Sequence, residues 1–174
     1  YKDILSLDGT ENTANYNGVV FELPDNISSN TSSVSLYHTT HTNFNTKIIN
    51  ISGKTKEYFM LENIGHDGYQ AGLDYLLWGN DKTSGIAIWH IDDNQSNNGA
   101  DVNHKLVDLE EAADAGLDLG THSGKQTNLF FSGNKTEFSD STDPNSKTYS
   151  GTSSGITIDN ISAAGDSMTF DVTF

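Results

Sequence analysis

The sequence predicts a mostly-β fold, a β-sandwich or jelly-roll-like core with long loops and one or two short helices. Three observations predict it. Apolar residues recur at period two far more often than at 3.6. Several short runs are rich in the β-branched and aromatic residues that suit a pleated surface. The stretches between them are too rich in Asn, Ser and Gly to be core. A chain of 174 residues has the size of one domain, so residues 1–174 are read as a single β-rich unit.

In chain order, Val19, Val20, Phe21 and Leu23 form a short strand that Pro24 and Asp25 terminate. Val34 and Leu36, with His38 next in register, alternate with polar neighbours, and residues 47–51 give a further β-branched strand. Residues 57–62 and 85–91 are apolar on both faces, the pattern of strands buried centrally between layers. Residues 68–77 are expected to make one short helical turn. A second helix is expected over 108–115, where Leu109, Ala112 and Ala113 are spaced for one face. Residues 93–103, 116–125 and 139–154 read as surface loops. Ile156, Ile158 and Ile161 precede a last strand in which Met168, Phe170, Val172 and Phe174 line one face. The turn at Ala163, Ala164, Gly165 and Asp166 makes the two a hairpin.

The charge is lopsided, with 9 basic residues against 24 acidic ones and a net of −15; all nine are Lys. A chain without the guanidinium fork and with a repulsive acidic surface is not built for nucleic acid or anionic membranes. No apolar run approaches the roughly 20 residues of a membrane span, so no membrane insertion is expected. Zero Cys removes disulfides, thiolate catalysis and cysteine-ligated metal clusters. The acidity, with the abundance of Asn, Ser, Thr and Gly, fits a secreted or cell-surface bacterial protein. The start at Tyr1, without Met or signal peptide, reads as a mature piece or an excised fragment.

His38 and His41 superficially echo a zinc pair. A zincin needs H-E-x-x-H on a helix, and residues three apart on a strand point to opposite faces, so a polar loop is the better reading. No G-x-S-x-G elbow occurs, and no spacing singles out an acid–base carboxylate pair, which leaves a glycoside hydrolase as a distant third reading.

The strongest constellation lies around the loop after residue 91. Asp92, Asp93 and Asn94 leave a buried strand, and Glu110, Glu111 and Asp114 follow the loop, a set of oxygen donors suited to calcium. An EF-hand is excluded: counted from Asp92, Asn103 stands where Glu is needed and Asn97 where Gly is needed. The alternatives at this point are an irregular calcium site and a solvated acidic loop. His90 is read as a core histidine with hydrogen-bonded ring nitrogens in preference to a ligand. Among Trp78, Trp89, Tyr69 and Tyr75, Trp78 is the best candidate for stacking on a sugar at the surface.

Two segments carry a resemblance. Residues 57–63 (EYFMLEN) and 84–92 (SGIAIWHID) resemble the "EYFLLEN … SGLLIWHID" stretch of immune-inhibitor-A-like secreted zinc metallopeptidases. Residues 103–112 (NHKLVDLEEA) are similar to that family's "HxxVxLEEADG". Order and spacing are kept over 56–174, whereas 1–55 match loosely. The matching positions are Glu62, Asn63, Trp89, His90, Asp92 and His104, with the Glu110–Glu111 pair; the family's Ala-Asp-Gly is interrupted here around Asp114.

The resemblance implies that this is the C-terminal, non-catalytic part of such a peptidase. The catalytic zinc domain and its H-E-x-x-H would lie upstream, zinc would belong only to that domain, and protein substrate would be met through it. The alternative is a free-standing carbohydrate-binding or adhesion module of the same architecture.

Overall fold

The computed structural model describes residues 13–16, 19–22, 25–38, 45–65, 84–96, 101, 103–113, 116–121 and 124–174. The fold is mostly β and sandwich-like, with no helix of seven or more residues among the described residues. A five-stranded sheet runs in the order β3 (Asp25–Ile27), β5 (Lys47–Asn50), β6 (Glu57–Ile64), β7 (Gly85–Asp92) and β8 (Val107–Leu109). A three-stranded sheet is ordered β4 (Thr31–Tyr37), β10 (Ser167–Thr173), β9 (Thr157–Asp159). A separate pair joins β1 (Thr13–Tyr16) and β2 (Val19–Glu22).

β3 pairs parallel to β5. A parallel neighbour needs a crossover, and the chain makes it by running β4 through the other sheet before returning. The two larger sheets are thereby stitched by consecutive strands. The remaining pairs of both sheets are antiparallel.

Alternation decides which side chains meet between the sheets. β6 presents Glu57, Phe59, Leu61 and Asn63 inward, all buried, while Tyr58, Met60, Glu62 and Ile64 on the outer face are half-buried. β7 is buried at all positions except the half-buried Trp89, as its continuous apolar run requires. Against Ile49, Phe59, Leu61, Ile86 and Ile88 lie Val34, Leu36, Ile158, Met168, Phe170 and Val172 of the other sheet, all in one cluster. Phe138 joins the two halves: its ring meets Phe59 edge-on at 5.2 Å and Phe130 at 5.8 Å. Asn63 adds a polar bolt, donating from Nδ2 to the carbonyls of Leu36 (3.3 Å) and Gly165 (2.9 Å).

Several expectations need correction. Asp25 does not end a strand but begins β3, and residues 107–109 form edge strand β8 where a helix over 108–115 was expected. Pairing of Trp89 with Leu109 and Ile91 with Val107 outweighs the weak helical spacing of that segment. Phe174 does not continue the buried face of Met168, Phe170 and Val172. The register shifts between Phe170 and Val172, and Phe174, beyond the strand's end, is 42% exposed. The expected turn at 68–77, with Tyr69, Tyr75 and Trp78, lies outside the described residues.

Candidate functional site: a buried histidine and carboxylate cluster

β6 begins at Glu57 and β7 ends at Asp92, and the antiparallel register sets Glu57 opposite Asp92 and Phe59 opposite His90. All four therefore share the inward face at one end of the sandwich. β8 brings Asp108 opposite His90, and the Glu110 amide donates to the Ile88 carbonyl, extending the ladder to that residue. A long connection from Phe138 to Ile156 crosses this end and delivers Tyr149.

His90 is 2% exposed, with Nδ1 at 3.1 Å from Glu110 Oε1 and Nε2 at 3.2 Å from Glu57 Oε1. A neutral imidazole has one N–H, so both contacts are hydrogen bonds only when a second proton sits on the ring or on a carboxyl. Burial pushes the Glu110 carboxyl above its ordinary value, and Asp108 and Asp118 add to this against the opposing pull of His90. The imidazole thus bridges the two carboxyl groups. Glu57 also accepts the Tyr149 amide (2.7 Å) and faces Lys54 Nζ at 3.3 Å.

The Tyr149 ring lies between two imidazoles, stacked on His90 at 4.1 Å and on His104 at 4.2 Å. Its hydroxyl is buried, with the Lys105 backbone acting on it against the effect of burial. Burial, then the Asp108 and Glu110 carboxylates, push that phenol far above its ordinary range. His104 Nε2 stands 2.8 Å from Asp92 Oδ2. Burial pushes the Asp92 carboxyl up, but hydrogen bonds from the Asn94 amide and side chain and from His104 outweigh it and hold it below its ordinary value. Lys105 bridges Asp108 (2.5 Å) and Asp118.

The expected calcium ligands are not gathered at one point. Asp92 is turned onto Asn94 and His104, while Glu110 faces His90. Glu111 accepts from the amides of Leu117 and Asp118 and from Asn128 Nδ2. Asp93 is half-buried, its amide tied to the Lys56 carbonyl, and Asp114 lies outside the described residues. Protein N–H groups and ring nitrogens contact the carboxylate oxygens of Asp92 and Glu111, and His90 contacts Glu110 Oε1. Among the described residues no group of three or more His, Asp or Glu is arranged to hold a metal ion. His38 is buried against Gly65, where a β-carbon would come within 2.4 Å of its ring; His41 lies outside the described residues.

The residues of the family-like pattern occupy structural positions. Asn63 bolts the sheets, His90 and Asp92 belong to the polar cluster, and His104 packs on Tyr149. Glu62 and Trp89 lie on the outer face of the five-stranded sheet, the Trp89 indole N–H buried without a hydrogen-bond partner among the described residues. The sequence reading missed Glu57 and Tyr149 as partners of His90. An acidic residue at an inward position, two before Phe59, is the signal for the first; Tyr149 left none, because it arrives 92 residues after Glu57. Comparison with family models, with curated proteins and with solved structures found no match.

Proposed function

We propose that this chain is the non-catalytic C-terminal module of a secreted zinc metallopeptidase of the immune-inhibitor-A-like kind, packing on an upstream catalytic domain and stiffening one wall of its substrate cleft. The observation that carries the reading is the fate of the motif's ionisable side chains. His90, Asp92, His104, Glu110 and Glu111 are engaged by one another or by neighbouring residues of the same fold, with His90, Asp92 and Glu111 buried. Groups spent on internal hydrogen bonds fix a scaffold; they do not polarise a scissile carbonyl or position an attacking water. The acidic composition, rich in Asn, Ser, Thr and Gly, supports an extracellular setting.

The purified chain, supplied with zinc and a generic unfolded protein substrate, is expected to show no cleavage above a zinc-only blank. Chelator-sensitive proteolysis by the isolated chain would overturn the reading.

A further inference from the structure

Two open clefts, of about 410 and 260 Å³, flank Tyr149, and its ring is part of the wall of both. The first reaches His90 and Glu110; the second reaches Glu57, Asp92 and His104. What separates them is a knuckle of five residues that is nearly self-contained. The Thr148 amide and hydroxyl donate to the Thr152 carbonyl, the Thr152 amide donates to Thr148 Oγ1, and the Gly151 amide donates to the Thr148 carbonyl. Gly151 takes φ +78°, a left-handed turn that a side chain would strain. Among the described residues, residues 148–152 are tied to the rest of the fold by the Tyr149 amide on Glu57 and by the Lys105 backbone acting on the Tyr149 hydroxyl.

We infer that residues 148–152 form a latch, with Tyr149 as its bolt. The knuckle lifts as a unit, joins the two clefts into one groove and opens Glu57 and His90 to solvent while both sheets stay folded. The knuckle is weakly coupled to its surroundings. Lifting breaks the Glu57 hydrogen bond and two ring contacts, withdraws the buried phenol hydroxyl from the Lys105 backbone into water, and leaves the internal bonds of the knuckle intact. Upstream, Ser146 Oγ on the Ile156 carbonyl stays behind as one hinge point. Downstream, Asp140, which accepts from Ser153 Oγ and the amides of Ser154 and Gly155, is the other.

Two readouts on the whole chain test this, and the inference needs both. Diethyl pyrocarbonate labelling of the native protein, read by peptide mass spectrometry, is expected to modify His90 at least tenfold faster than His38, which is equally buried but lies away from the latch. Native-state hydrogen exchange is expected to give the Tyr149 amide an opening insensitive to low denaturant, while the Phe138 and Ile158 amides, paired across the core, open only with global unfolding. Glu57→Gln, which weakens the tether, should raise the His90 labelling rate severalfold with His38 unchanged. If His90 labels no faster than His38, or the Tyr149 amide follows the denaturant dependence of Phe138, the cluster opens only by unfolding and the latch is overturned.

Discussion

Replacing His90 with Leu is expected to destabilise the fold by about 3–5 kcal/mol at pH 7, the range for breaking a buried ionic contact from one side. The substitution keeps apolar volume but leaves Glu57 and Glu110 facing a side chain that can neither donate nor share a proton. Urea unfolding measures the loss, and two comparisons separate an electrostatic cause from a packing one. Combining His90→Leu with Glu57→Gln and Glu110→Gln should recover much of the stability, because neutral amides cost less to bury than stranded carboxylates.

The deficit should also depend on pH. A carboxyl whose folded pKa is raised, as burial raises that of Glu110, contributes stability that is fully present below its unfolded value of about 4.3 and is lost as pH rises through the folded value. With His90 gone that rise is larger, so the deficit at pH 4 should be smaller than at pH 7. Equal deficits at both pH values would mean that packing alone is at stake.

Phe59→Ala is expected to cost about 3–5 kcal/mol by cavity formation, with a fall in Tm of roughly 10 °C for a domain of this size. Phe59 is fully buried, pairs with Ile49 and His90 across neighbouring strands, and meets Phe138 edge-on. No small shift of either sheet can refill a hole walled by three elements. Met60, its half-buried neighbour on the outer face, is the control: Met60→Ala should cost less than half as much. Similar losses at both positions would place the stabilising core elsewhere than between the two sheets.

The strands that the sequence reveals well are those whose pattern and burial agree. β10 is found by its alternation, and β6 and β7 by their apolar runs. β3 is hidden because Pro24 and Asp25 look like a stop, and its pairing partner β5 lies beyond an intervening strand in another sheet. β8 is hidden because a three-residue edge strand has too little pattern to outvote Leu109, Ala112 and Ala113 at helical spacing.

The site follows the same logic. His90 at the end of a buried strand beside Asp92 is readable as a core histidine, and Glu110 is readable as acidic and near. Which carboxylate reaches which ring nitrogen is decided by register, and Tyr149 by a crossing connection; neither has a local signature. Candidate calcium ligands close in sequence part company for a related reason. Glu110 and Glu111 are adjacent, yet one faces His90 and the other is turned onto Asn128 and the amides of Leu117 and Asp118.

The measurement that tests the central claim most directly is the sequence of the parent reading frame immediately upstream of Tyr1. The account predicts an H-E-x-x-H segment on an amphipathic helix within about 200 residues, one domain's length away. A signal peptide abutting Tyr1 would contradict it, and would make this chain a self-standing module with its polar cluster serving that fold alone.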